Sequence, residues 1–111
     1  MRTIHKFVLK DTIGSPQAIL MPEDARPLSV GYLAATPDFP DGTLNVWALV
    51  DTAAPKRPRW FAIQYTGSFV TDPVAESEFV GRIEIERGFR GSPLQLHVFD
   101  LGHAPKAGED E

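Results

Sequence analysis

The sequence is organised around the stretch Leu44-Asn45-Val46-Trp47-Ala48-Leu49-Val50-Asp51. Apolar residues occupy both faces of it: four aliphatic residues share one face, and Trp47 and Leu49 share the other. A strand that is apolar on both faces is typical of the middle of a sheet with protein on each side. Gly42 precedes the stretch and Thr52 follows it, which limits it to the length of one ordinary strand. We therefore predict a central strand over residues 44–51.

The bulk composition describes one ordinary globular domain. The chain has 111 residues, of which 42% are hydrophobic and 23% charged, and this length buries a core without metal or disulfide support. There is no cysteine, which excludes disulfides and thiolate sites and fits a reducing cytoplasm. The net charge of -4 argues against nucleic-acid phosphate as a partner. No stretch reads as a signal peptide or a membrane span, so we expect a cytoplasmic location.

Six further stretches read as short strands because they alternate or are apolar runs between turn residues. They cover residues 3–10, 17–21, 28–33, 59–66, 79–87 and 94–99. Pro40-Asp41-Gly42 suits a hairpin turn, so the strands over residues 28–33 and 44–51 are expected to be antiparallel neighbours. Asp72-Pro73 begins one helical turn. The proline-rich residues 52–58 read as a loop.

The alternation also assigns side chains to faces. Leu28, Val30 and Tyr32 are predicted to point inward, as are Phe79, Ile83 and Ile85, with Gly81 at a bulge or a close approach.

These elements predict an all-β fold, a small antiparallel sandwich or partly closed barrel of about seven short strands with at most one helical turn. Residues 1–101 are expected to form a single domain. Residues 102–111 read as a disordered acidic tail.

Three histidines are the candidates for imidazole chemistry. His103 falls in the predicted tail, and His5 and His97 fall on the first and last strands, which are neighbours in some sheets. A catalytic or metal role needs a carboxylate beside them, and no metal-binding spacing occurs. We predict no metal, no cofactor and no catalytic residue.

Basic and polar loops supply the candidate binding residues. Lys56-Arg57-Pro58-Arg59-Trp60 places three cations beside an indole, a combination that grips phosphates or acidic protein surfaces. Arg90 lies in a second basic loop between glycines. Thr66-Gly67-Ser68 opens the longest loop directly after a strand. The predicted ligand- or partner-binding residues are Arg59, Trp60, Thr66, Gly67, Ser68, Arg90 and His97.

Four motifs occur in an order that resembles a family of small uncharacterised proteins of phages and prophages. They are Met21-Pro22-Glu23-Asp24-Ala25-Arg26-Pro27-Leu28-Ser29-Val30, the strand over residues 44–51, Thr66-Gly67, and Leu96-His97-Val98-Phe99. The family pattern is M-P-x-x-A-x-x-L-S-V, W-A-L-V-D, F-x-x-x-x-T-G and H-V-F. Members often carry histidine after Thr-Gly, and Ser68 in that place argues against metal or catalytic chemistry there. The resemblance covers residues 3–99 and implies no established activity.

The leading functional hypothesis is a non-enzymatic binding module, phage- or prophage-encoded, homo-oligomeric, and acting on a host protein or small anionic ligand. Its biological role would be counter-defence or host takeover, by analogy with other small phage proteins. Exposed sheet edges invite pairing with another chain. The alternatives are a sponge for a nucleotide-like signal held by Arg59, Trp60 and Arg90, a hydrolase or isomerase using His97, and a structural virion component.

Overall fold

A computed structural model describes residues 1–85 and 94–103, and these residues form seven strands and one helical turn. The strands are β1 (Arg2–Leu9), β2 (Gln17–Pro22), β3 (Arg26–Leu33), β4 (Thr43–Asp51), β5 (Lys56–Tyr65), β6 (Glu78–Ile85) and β7 (Leu94–Gly102), and the helical turn is α1 (Asp72–Ala75). The predicted all-β class, with one helical turn, is confirmed. Residues 104–111, most of the predicted tail, lie outside the described residues.

The strands form two antiparallel sheets that face each other as a sandwich. Sheet A has the order β1-β4-β3, and sheet B has the order β2-β5-β7-β6. The pairing of β3 with β4 confirms the predicted hairpin, with Leu33 opposite Thr43. Gly42 takes a φ of +80° in the turn, which glycine adopts without steric cost.

The core lies between the two sheets, and β4 is the middle strand of sheet A as predicted. The buried apolar residues of the core are Leu9, Met21, Ala25, Leu44, Val46, Ala48, Val50, Phe61, Ile63, Ile83, Leu96 and Val98. On the outer face of β4, Trp47 and Leu49 are only half-buried. The outer face of β4 is therefore less completely covered than its inner face, where Val46, Ala48 and Val50 are buried.

Two β-bulges invert predicted side-chain directions. The register shifts between Pro27 and Ser29 in β3 and between Phe79 and Gly81 in β6. Leu28 is the unpaired residue of the first bulge, and Val80 is the unpaired residue of the second, which reverses the alternation at Phe79. The inward predictions for Leu28 and Phe79 are therefore wrong, and both side chains are exposed. Val80 packs against the core instead of Phe79.

Strand β5 begins three residues earlier than the sequence predicts, at Lys56, so residues 56–58 are strand and not loop. Pro58 pairs with Leu20 of β2, and it lies beyond the end of β7, whose pairing with β5 stops at Trp60. At Pro58, β5 therefore has a partner strand on one side only, and proline is tolerated at such an edge position. The last strand also runs further than predicted, to Gly102.

Residues 66–77 carry the chain from β5 to β6 across the outer face of sheet B. Val74 of α1 is buried but lies outside the core between the sheets, and α1 packs on β7. The described part of the chain contains no helix with the length and hydropathy to cross a membrane.

Candidate functional site

A group of six residues lies on the outer face of sheet B, and we call it the His97 patch. Its members are Gln64, Thr66, Ser68, Phe79, Arg82 and His97. The strand register places Gln64 of β5 and Arg82 of β6 directly opposite His97 of β7. Directly opposed residues of antiparallel strands point to the same face. β5, β6 and β7 therefore place Gln64, Arg82 and His97 side by side on this face.

The turn after β5 brings two hydroxyl groups to the patch. The Ser68 N–H donates to the Tyr65 carbonyl at 3.2 Å, which closes a four-residue turn. Gly67 has a φ of +86°, the left-handed conformation that favours glycine. The sequence Thr66-Gly67-Ser68 therefore folds back over the sheet face at the end of the strand.

Hydrogen bonds tie these hydroxyls to the sheet. Thr66 Oγ1 lies 2.8 Å from His97 Nε2. Ser68 Oγ lies 3.0 Å from Oε1 of the buried Gln64 and 2.9 Å from the Tyr65 carbonyl oxygen. A hydroxyl carries one proton, so Ser68 donates to one of these oxygens at a time. These bonds hold the Thr66-Gly67-Ser68 turn against Gln64 and His97.

Aromatic rings flank the polar groups. The rings of Phe79 and His97 have centroids 6.3 Å apart, and Phe79 meets Phe99 edge-on at 5.5 Å. Phe79 is 55% exposed, and Phe69, one residue after Ser68, is 93% exposed. Large apolar side chains held in water beside polar groups are a common mark of a protein-binding surface.

The Thr66–His97 pair has the distance of a nucleophile and a general base. A base in such a pair is held by a third group, commonly a carboxylate. The residue opposite His97 on one side is the cation Arg82, whose Nη2 lies 3.9 Å from Glu84 Oε1. Within residues 1–85 and 94–103 there is no hydrogen bond to His97 Nδ1 and no cluster of three potential metal ligands. Among the described residues, the pair therefore has no third group that would hold His97 as a base.

Arg59 lies at the other end of β5, about 23 Å along the strand from Thr66. Its guanidinium donates to Asp100 through Nε at 3.0 Å and Nη2 at 2.8 Å, and through Nη1 to the Ala25 carbonyl at 2.8 Å. Arg59 is therefore occupied in a structural ion pair. Trp60 is half-buried and lies opposite Ala18 and Gly102.

The remaining candidates do not meet. Arg90 lies outside the described residues, so its predicted role has no structural account. His5 lies in sheet A and His97 in sheet B, so the two are not neighbours. His103 lies just after β7, with Nε2 2.9 Å from the Glu23 carbonyl oxygen. Thr66, Gly67, Ser68 and His97 are the predicted residues that the fold brings together.

Two concavities lined by described residues do not suit an anionic ligand. One, of about 510 Å³, is lined by Asp72, Glu76 and Glu78 beside the paired Arg59 and Asp100. The other, of about 450 Å³, opens between the sheets and is lined by apolar residues with Asp11 and Asp41. The hollow beside Thr66 is smaller, about 320 Å³. A further concavity of about 370 Å³ lies between Phe79 and the paired Arg59 and Asp100.

The pKa of Asp51, a residue outside the His97 patch, is shifted. The Ala53 N–H and the terminal amino group both hydrogen-bond to the Asp51 carboxylate and lower its pKa. Asp51 ends β4 in sheet A, so this charge does not act on the His97 patch.

Sequence reasoning missed three members of the patch, Gln64, Phe79 and Arg82, and the exposed Phe69 that follows Ser68. The sequence contains a signal for Gln64, because the alternation of β5 places it on the outer face with Trp60. It contains no such signal for Phe79, because the direction of that side chain depends on a bulge.

The fold and the patch define a class: a small two-sheet all-β protein with an exposed polar and aromatic surface on one sheet. Residues 1–107 match the family described as a domain of unknown function, DUF7352, and the chain belongs to that family. No curated protein matches the chain, and no solved structure does.

Proposed function

We propose that this protein is a non-enzymatic binding module that docks on a host protein through the His97 patch. The observation that carries the proposal is the exposure of Phe69 and Phe79 beside the Thr66–His97 hydrogen bond. Aromatic anchors with adjacent polar groups account for much of the binding energy of protein interfaces.

The biological setting we propose is a phage or prophage product that acts in the cytoplasm of a bacterial host, in counter-defence or host takeover. The resemblance of the motifs to phage proteins supports it, and the absence of cysteine fits a reducing compartment.

A comparison of alanine variants tests the docking surface. The tagged protein is expressed in a bacterium, and copurifying proteins are quantified by mass spectrometry for the unmodified chain, Phe79→Ala and Phe69→Ala. Phe39→Ala is the matched control, because Phe39 is similarly exposed and lies in the loop between β3 and β4 of the other sheet.

We expect a protein that copurifies with the unmodified chain and with Phe39→Ala to fall at least about tenfold with Phe79→Ala, since one anchor contributes about 1.4 kcal/mol or more. Equal recovery with all four chains would contradict docking at the patch.

A second candidate is a hydrolase, favoured by the 2.8 Å Thr66–His97 distance. In this reaction His97 Nε2 would take the Thr66 proton as Oγ1 attacks an ester carbonyl, and would return it to the alcohol that leaves as the ester C–O bond breaks. A water molecule would then attack the acyl-Thr66 ester with His97 as the base, which releases the acid and restores the Thr66 hydroxyl. Hydrolysis of p-nitrophenyl acetate tests it with Thr66→Val, which keeps the side-chain shape. A rate lowered about 100-fold or more by Thr66→Val supports the hydrolase, whereas equal rates reject it.

A further inference from the structure

We propose that the free edge of β1 pairs with the same edge of a second copy of this chain and joins two copies of sheet A into one six-stranded sheet. β1 pairs with β4 on one side over all eight of its residues, Arg2–Leu9. Among the described residues, no strand and no backbone hydrogen bond reaches its other side. An edge of unpaired N–H and C=O groups is a template for another strand. This inference does not depend on the proposed function.

The other three edges of the described sheets are blocked. β2 is shorter and ends at Pro22. β3 contains Pro27 and a register shift, and it packs against β6. β6 has its own register shift, and Gly81 approaches β3 so closely that a Cβ there would lie 2.9 Å from Val30 Cγ2. Prolines, bulges, covering elements and charged side chains are devices that prevent edge pairing. β1 contains neither a proline nor a register shift, and its charged residues are Arg2 and Lys6.

Apolar side chains flank the β1 edge on both faces. Ile4 and Val8 are 56% and 45% exposed on the outer face. Phe7 is half-buried on the inner face. A second strand beside β1 would remove these groups from water, which adds a hydrophobic contribution to the backbone pairing.

Charge selects the register of the pair. A two-fold axis normal to the sheet relates the antiparallel copies and keeps inner residues opposite inner residues, so one residue lies opposite itself. If the axis passes through Lys6, Lys6 lies opposite its own copy, and if it passes through Ile4, Arg2 lies opposite Lys6. Like charges directly opposite each other destabilise a strand pair. Centring on His5 places Lys6 opposite Ile4 and Arg2 opposite Val8. It also pairs more of β1 than centring on Phe7 does, so we assign the axis to His5.

The absence of cysteine makes single-cysteine variants a direct test. Opposed residues of an antiparallel pair have Cα atoms about 5 Å apart, within disulfide range. His5→Cys should therefore form an intermolecular disulfide under mild oxidation. Val8→Cys is the matched control, because residue 8 and its copy are offset by about 20 Å along the strands. Both side chains are exposed, so neither change removes a core contact.

Native mass spectrometry of the unmodified chain should show a dimer. Intact-mass measurement under non-reducing conditions should show a disulfide-linked dimer of His5→Cys, and at least about tenfold less disulfide-linked dimer of Val8→Cys. A monomer at all concentrations, or equal bridging by both variants, would overturn the proposal. Hydrogen exchange of the unmodified chain gives a second reading. Protection of β1 amides should rise with concentration while that of β6 amides stays constant, and no rise in β1 would also overturn the proposal.

Discussion

Arg59 and Asp100 form an ion pair whose side chains are 16% and 8% exposed. The guanidinium and carboxylate meet through two parallel hydrogen bonds, and Asp100 also accepts from the Gly102 N–H at 2.9 Å. Arg59 reaches the Ala25 carbonyl as well. The pair therefore holds β5, β7 and the residue before β3 together at one end of the sandwich.

Removing one partner of this pair should be costly. We expect Asp100→Ala to lower the free energy of unfolding by about 3 kcal/mol, because it leaves the Arg59 charge largely desolvated and unpaired. Glu84→Ala is the control, since Glu84 and Arg82 are half exposed and 3.9 Å apart, and we expect a change below about 0.5 kcal/mol. Urea unfolding measures both variants. Similar values for the two would contradict a structural role for Arg59.

The β3–β4 hairpin depends on Gly42 at the scale of the element. Gly42 has a positive φ, and a Cβ there would lie 2.6 Å from the Leu33 carbonyl oxygen. Gly14 also has a positive φ, but nothing lies within 4 Å of the position of its Cβ. A comparison of substitutions at the two glycines therefore separates the cost of backbone strain from the cost of steric overlap.

We expect Gly14→Ala to cost about 1 kcal/mol from the left-handed backbone alone. Gly42→Ala should cost about 3 kcal/mol or more, because a rigid carbonyl must also move. Thermal and urea unfolding of both variants provide the comparison. Equal losses of unfolding free energy in the two variants would contradict this account, because the turn would then relax away from the Leu33 carbonyl at no cost.

The elements differ in how far their sequences predict them. The alternation over residues 44–51 and the turn at Pro40-Asp41-Gly42 are local signals, and both predictions are confirmed. Leu28 and Phe79 were assigned to the wrong face because a bulge is set by the partner strand and not by the residue itself. Residues 56–58 were taken for a loop because proline is acceptable in β5 only where β7 has already ended.

At the scale of the whole molecule, the candidate site is a product of sheet B pairing. Thr66 and His97 are 31 residues apart in the chain, and their contact requires the β5–β7 register. Local patterns identified the Thr66-Gly67-Ser68 turn and His97 separately. Neither pattern contains the information that the two meet, nor that Arg82 lies opposite His97.

The two sheets also present different outer surfaces. Sheet B carries the His97 patch, and β1 of sheet A carries the proposed pairing edge. Pairing through β1 would leave the His97 patches of both copies free, so a dimer would offer two docking surfaces. Two linked sites bind a multivalent partner more tightly than one site does.

Site-specific photo-crosslinking tests the central claim most directly. A benzoylphenylalanine at position 79 replaces an exposed aromatic ring within the His97 patch, and the same group at position 39 replaces one outside it. After irradiation of host cells, we predict a covalent adduct to a particular host protein from position 79 and not from position 39. The adduct should diminish when Arg82→Ala is added. The same adducts from both positions, or from position 39 alone, would contradict a partner surface on the outer face of sheet B.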